Sequence, residues 1–418
     1  MDKIILAADQ GSAISQYNLG VCYANGDGVP KDPKEAVRYY RLAADQGYAP
    51  AQHNLGTCYD DGIGVPKDPK ETVRYYRLAA DQGYTGAQLN LGVCYANGDG
   101  VPKDPKEAVR YYRLAAHQGH AAAQYNLGVC YENGVGDTKD SKKAVRYFRL
   151  AADQGYAFAQ YNLGVCYSKG NGVPKDPKEA ARYYRLAADQ GNADAQINIG
   201  MCYEHGAGVS KDPKEAVRHY RLAADQGNVI AQGNLGACYS KGNGVPKDPK
   251  EAVRYYRLAA NQGDADAQYN LGVCYHYGNG VPKDPKEAVR CYRLAADEGF
   301  ANAQYNLGVC YENAYGGVTK DLKEAVRCYR SAADQNFALA IEALKCPCLA
   351  SFGISSSSKP LDEKTGALAI IPCLLECDAC KKLCEPNYCA SCEEAKYCSK
   401  ECQKIAWKTG HKITCNKT

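Results

Sequence analysis

Apolar and small residues recur along most of the chain in two alternating stripes, and the whole pattern returns every 36 positions. In one copy, Ala51, Leu55, Cys58 and Tyr59 stand at i, i+4, i+7 and i+8, which predicts one buried face of a helix. Gly62 suits the exit from that helix, and Gly64-Val65-Pro66 predicts a tight loop. A second stripe then runs through Thr72, Val73, Tyr76, Ala79 and Ala80. Its start is densely marked: Asp68 suits the N-cap, Pro69 the first helical position, and Glu71 completes a capping-box pattern. Gly83 suits a left-handed C-cap. Each copy therefore predicts two helices joined by a turn.

The Leu-Ala-Ala block of the second helix begins at Leu6, Leu42, Leu78, Leu114, Leu150, Leu186, Leu222, Leu258 and Leu294, always 36 apart. The next return, at Ser331, comes after 37, because the loop around Ala314 to Val318 holds one extra residue. A fixed period of this size predicts an all-α solenoid whose units bury their apolar faces only by stacking on one another. Gly56 recurs inside the first helix, where glycine costs about 1 kcal/mol against alanine, so another helix is expected to pass close by. Ser141 and Leu322 replace the helix-starting proline, and those two starts are expected to fray more easily.

A chain of 418 residues is too long for one compact core. Its formal charge of +4 is too small to argue for nucleic acid, since each repeat nearly balances its acids and bases. No apolar run approaches the roughly 20 residues of a membrane helix. Met1 to Gln10 shows no basic region or cleavage site and reads as the back half of a repeat, so the expected location is cytoplasm or nucleus rather than outside the cell. Nine of the 22 cysteines, Cys22 to Cys310, recur once per repeat just before a tyrosine. Equivalent sites on stacked helices lie roughly 8–10 Å apart, beyond disulfide reach, so these cysteines, with Cys291 and Cys328, are expected to be small buried fillers.

Ala-x-x-Asn-Leu-Gly-x-x-Tyr, the Gly-Val-Pro-x-Asp loop and the closing Ala-Ala-x-x-Gly resemble Sel1-like repeats, relatives of the tetratricopeptide repeat, over about residues 1–345. The resemblance implies an α/α superhelix of about nine helix-turn-helix repeats and a scaffold or adaptor role, with first helices lining the concave surface. Positions 53, 57, 60 and 61 vary most between copies and share one helical face, placed by spacing opposite the constant stripe. That face either reads a ligand or varies because it is merely exposed; Tyr125, Tyr161, Tyr269 and Tyr305 are its candidate partner-facing residues. The recurrent asparagines Asn18, Asn54 and Asn90 either grip a peptide backbone or, more commonly, satisfy a neighbouring loop carbonyl. The paired arginines, such as Arg74 and Arg77, read as a solvated face or as stacking on tyrosine. His117, His120, His205, His219 and His276 have no repeated partner and read as surface residues.

The period fails after about Leu344, with Phe337 to Leu344 expected to cover the end of the stack. Residues 346–372 have linker composition. Residues 373–418 carry Cys377-x2-Cys380, Cys389-x2-Cys392, Cys398-x3-Cys402 and His411-x3-Cys415. Four short pairs of soft ligands fit two tetrahedral zinc sites with no open position, so both are expected to be structural. A segment of this size builds too little core, and metal binding supplies its folding free energy, about 10–16 kcal/mol per structural zinc. Cys384 and Cys373 fall off the spacing, and Cys346 with Cys348 has no second pair nearby.

Tyr397-Cys398-Ser399-Lys400-Glu401-Cys402-Gln403-Lys404-x-x-Trp407 and the late His411 resemble a MYND zinc finger over residues 377–415; a RING finger would place its histidine nearer the middle. The resemblance implies a cross-brace, with Cys377, Cys380, Cys398 and Cys402 on one zinc and Cys389, Cys392, His411 and Cys415 on the other. Spacing alone permits sequential pairing as well. It also implies a protein-binding module, often for proline-rich peptides, in which Gln403 and Trp407 line the groove. A core role for Trp407 is the plainer alternative.

These features favour a non-enzymatic adaptor that binds other proteins. A lysine methyltransferase would need a catalytic domain for which no stretch outside the repeats and finger is long enough. A component of a ubiquitin-ligase or degradation complex and a chromatin or transcription co-regulator remain the alternatives.

Overall fold

The computed structural model describes residues 1–346 and 349, together with the backbone of two short antiparallel strands, Asn387–Tyr388 and Lys396–Tyr397. Asn387 pairs with Tyr397 and Tyr388 with Lys396. The chain divides into two compact units, Met1–Gln226 and Gly227–Thr418.

In the first unit a lone helix, Asp2–Asp9, precedes six helical hairpins. They are Ala13–Asn25 with Pro33–Asp45, Ala49–Asp61 with Pro69–Asp81, Thr85–Asn97 with Pro105–His117, Ala121–Asn133 with Ser141–Asp153, Ala157–Lys169 with Pro177–Asp189, and Ala193–His205 with Pro213–Asp225. The second unit repeats the plan in Val229–Lys241 with Pro249–Asn261, Ala265–Tyr277 with Pro285–Asp297, and Ala301–Asn313 with Leu322–Ala333. A further helix, Ala338–Ala343, packs against Leu322–Ala333. Leu349, on the linker side of the expected boundary at 345, is 1% exposed and packs with Ala325, Val326 and Tyr329, so the packed body runs past the loss of the 36-residue period.

The two stripes meet inside each hairpin. Leu55 and Ala51 are fully buried beside Ala43, Ala44 and Tyr75, within and between hairpins. Gly56 marks the close approach expected for it: a methyl group there would stand 2.7 Å from the ring of Tyr76 and 3.3 Å from the Thr72 carbonyl. Gly64 has φ +73°, and a Cβ there would collide with the carbonyl of Pro33 in the preceding hairpin. The loop between the helices is therefore pressed onto its neighbour, and glycine serves both its backbone and its packing. Cys94, Cys130, Cys166 and Cys202 are buried thiols with no disulfide, and burial pushes Cys94 up to about 12.

The second-helix start departs from the expected capping box. Asp68 accepts from the backbone N–H groups of Lys70 and Glu71, at 3.0 and 3.2 Å. The return bond is not made, because the Asp68 N–H already donates to the Tyr59 carbonyl at 3.0 Å. Glu71 turns instead along its own helix to Arg74, at 2.6 Å. At the Ser141 start Asp140 accepts from one backbone N–H, that of Lys143. At the Leu322 start Asp321 accepts from both Lys323 and Glu324, as in the proline-started helices.

A glutamine that the apolar pattern hides ties successive hairpins together. Gln52 is 4% exposed; its Nε2 donates to the Ala44 carbonyl of the previous hairpin at 3.2 Å. Its Oε1 accepts from Gln82 Nε2 at 2.7 Å. Such clamps recur at Gln16, Gln88, Gln124 and Gln160, each accepting from the glutamine 30 positions on at 2.7–2.8 Å.

Candidate interaction surface

The variable face of the first helices is partly an interface between hairpins. Tyr125, Tyr161, Tyr269 and Tyr305 are half-buried. The Tyr125 ring packs 6.0 Å from Phe148 and 5.4 Å from Tyr156, centroid to centroid. Tyr161 meets Tyr184 at 6.1 Å. In the second unit Tyr269 lies between Tyr292 and Phe300, at 5.9 and 5.3 Å, and Tyr305 between Tyr329 and Phe337, both at 5.5 Å. The expectation that this face stands clear of the packing is corrected here: a ring at this position is long enough to wedge against the second helix and the start of the next hairpin. The exposed large apolar members of the face are Val93, Met201 and Tyr277, at 36%, 41% and 49%, and Asp61, Asn97, Lys169 and His205 are exposed polar ones.

Part of the asparagine ladder has side-chain partners within the repeats. Some of the asparagines meet a tyrosine or histidine side chain one hairpin before them. Asn162 pairs with Tyr125 and Asn198 with Tyr161. Asn90 faces His53, its Nδ2 lying 3.1 Å from Nε2. Burial pushes the hydroxyls of Tyr125, Tyr161 and Tyr269 above the usual tyrosine range, and the neighbouring asparagine amides oppose that shift.

The arginines stack on tyrosine as expected. Arg74 lies 4.0 Å over Tyr75, whose ring stacks on Tyr59 at 5.8 Å. Arg77 donates to the Tyr95 hydroxyl of the next hairpin at 2.9 Å. Two histidines contradict the surface reading. His219 is 2% exposed, replaces a tyrosine in that stack and lies on Tyr203 at 5.8 Å. His276 is half-buried between Tyr277 and Tyr315, at 4.6 and 4.7 Å.

The eight predicted zinc ligands, with Gln403 and Trp407, lie outside the described residues. Among the described residues no group of three or more His, Cys, Asp or Glu side chains is placed to hold a metal ion. No helix among them is long and apolar enough to cross a membrane.

Paired helices of constant length, closed by the same caps and clamped by the same glutamines, define an α-helical repeat protein. The Sel1 repeat model matches nine times, over residues 13–48, 49–84, 85–120, 121–156, 157–192, 193–228, 229–264, 265–300 and 301–337. The chain belongs to the Sel1 repeat family. The MYND finger model matches residues 377–415, which makes the carboxyl end a zinc-binding finger. Two solved structures share the fold. One is c5321, a protective antigen present in uropathogenic Escherichia coli strains displaying an SLR fold; it is 33% identical, with a TM-score of 0.58 over 85% of this chain and 83% of that one. The other is a Sel1 repeat protein from Oxalobacter formigenes, 36% identical, with a TM-score of 0.56 over 72% of this chain and 88% of that one. No curated protein sequence matches. Both parts belong to families of protein-interaction modules, and the chain is a protein-interaction scaffold with a zinc-binding finger.

Proposed function

We propose that the chain is a non-catalytic adaptor that holds one protein on its repeats while the finger recruits a second through a proline-rich peptide. The observation that carries this reading is the contrast between copies. The clamps, caps and close-packed glycines recur, while exposed positions of the first helices change: Val93 gives way to Met201 at one, and Asp61 to Asn97, Lys169, His205 and Tyr277 at another. A surface that differs from repeat to repeat can distinguish positions along an extended partner.

The reading has protein-binding sites on the repeats and on the finger. In the first unit Tyr125 and Tyr161 form the floor of a partner-facing surface with Val93 and Met201 as outward contacts; in the second unit Tyr269 and Tyr305 form the floor of another, with Tyr277 as its outward contact. On the finger, Cys377, Cys380, Cys398 and Cys402 hold one structural zinc, and Cys389, Cys392, His411 and Cys415 the second. Thiolates and an imidazole are the soft donors that suit zinc. Gln403 and Trp407, one helical turn apart, line the peptide groove. The buried thiols along the repeats suit a reducing compartment, cytoplasm or nucleus.

The test uses the full chain with Met201→Glu plus Tyr277→Ala, and separately with Trp407→Ala. The exposed-face variant is expected to lose the repeat-bound partner in affinity capture while keeping its thermal midpoint. Trp407→Ala is expected to retain two zinc ions per chain by elemental analysis and to lose proline-rich peptides on an array. Undiminished binding by both variants refutes the proposal.

A further inference from the structure

The glutamine clamp is broken once. In the second unit Gln262 Nε2 donates to Gln232 Oε1 at 2.9 Å, and Gln335 Nε2 to Gln304 Oε1 at 2.9 Å. Between them Gln268 still donates to the Ala260 carbonyl at 3.4 Å, but position 298, where its amide donor should stand, is glutamate. Gln268 is 6% exposed, and its Oε1 is buried with no hydrogen-bond partner.

The lost amide also served carbonyls. Gln335 Nε2 reaches the Gly299 carbonyl at 2.8 Å and the Ser331 carbonyl at 3.3 Å; Gln262 Nε2 reaches Gly227 and Leu258, both at 3.4 Å. The equivalents around Glu298 are the carbonyls of Gly263 and Leu294. Three oxygen acceptors converge on the NH2 group of Gln262 and of Gln335, whereas the residue at the equivalent position 298 carries a carboxylate, which has acceptors and no donor. Negative charge is added by Asp264, which caps the helix Ala265–Tyr277 by accepting from the Ala267 N–H at 2.6 Å, and by Asp266 in that helix's first turn. Burial, and then Asp264, hold Asp266 above the usual carboxylate range. Among the described residues neither aspartate nor Glu298 forms an ion pair, whereas Glu287 meets Arg290 at 2.9 Å.

We propose that Glu298, Gln268 Oε1 and the Gly263 and Leu294 carbonyls form a binding site for a hard cation, with calcium its fitting occupant. An all-oxygen set of one carboxylate, one amide and two backbone carbonyls, open to water on its Glu298 side, matches calcium's tolerance for irregular mixed-oxygen shells. Magnesium demands a tighter octahedron, and zinc prefers nitrogen and sulfur. The ion takes the place of the missing amide and ties the hairpin Ala265–Tyr277 with Pro285–Asp297 back to the loop before it.

The test is thermal unfolding of the full, zinc-loaded chain followed by helical ellipticity, with calcium chloride compared against potassium chloride at equal ionic strength. Calcium is expected to raise the wild-type midpoint by about 2 °C more than potassium does, the size of effect one added tie has in a large chain. Glu298→Gln restores the amide found in the other repeats, so it should fold, melt higher without calcium and show no calcium increment. The reciprocal Gln82→Glu should acquire an increment. Equal increments in wild type and Glu298→Gln, or none in wild type, overturn the proposal and leave Gln268 Oε1 to water.

Discussion

His219 shows how one residue changes the physics of a repeat. In the other stacks of this kind a tyrosine fills the site, as Tyr75 does against Tyr59. Here the imidazole is buried, its Nδ1 has no partner among the described residues, and its Nε2 lies 3.2 Å from an Arg218 nitrogen. Burial, then the Arg218 charge, hold its pKa below the ordinary 6.5; Arg185 adds to this, while Glu215 and Asp189 oppose it. The unfolded chain therefore takes up the proton more readily than the folded one. The neutral ring's contribution is fully present above pH 6.5 and is lost as pH falls below it. Thermal midpoints measured from pH 7 to pH 5 are expected to drop further for wild type than for His219→Tyr, which restores the repeat's usual ring. Parallel curves for the two proteins would show that His219 does not titrate on unfolding. The sequence marks His219 only as a departure from tyrosine; its burial follows from the position it inherits.

At the scale of the element, the helix starts rank themselves. Asp68 satisfies two of the open N–H groups of its helix and Asp140 satisfies one. Asp68→Ala is expected to cost about 1 kcal/mol, within the usual range for losing an N-cap, and Asp140→Ala clearly less; urea unfolding monitored by helical signal measures both. Equal costs would show that the count of capped N–H groups does not set cap strength here. The second-helix boundaries were legible from Asp-Pro-x-Glu and the trailing glycine because capping is local chemistry. The fate of Glu71 was not legible, since the competing bond from the Asp68 N–H to Tyr59 comes from the preceding helix. The exposed Glu-Arg pairs that result, half open to water, add little stability.

For the whole molecule, zinc dependence should be confined to the carboxyl end. None of the described residues forms a metal cluster of the thiolate and imidazole type, whereas the finger holds four short ligand pairs. Treating the full chain with a zinc chelator is expected to expose the finger cysteines to a thiol reagent while leaving the helical ellipticity of the repeats almost unchanged. A collapse of helical signal on chelation would show that the repeats need the metal.

Period, stripes, caps and ligand pairs were set by the sequence alone, because each depends on residues close in the chain and is repeated often enough to stand out. The family of each part follows from the same spacings. What only the tertiary structure decided is where side chains go between hairpins. The variable tyrosines are wedged into seams, Asn90 reaches back one hairpin to His53, and a glutamine beside the apolar stripe becomes the clamp. Glu298, one ordinary acid among many in the sequence, acquires its meaning only because stacking carries position 298 to the buried oxygen of Gln268. Those partners are about 30 or more residues apart, and no local pattern encodes a contact created by the stacking of one repeat on the next.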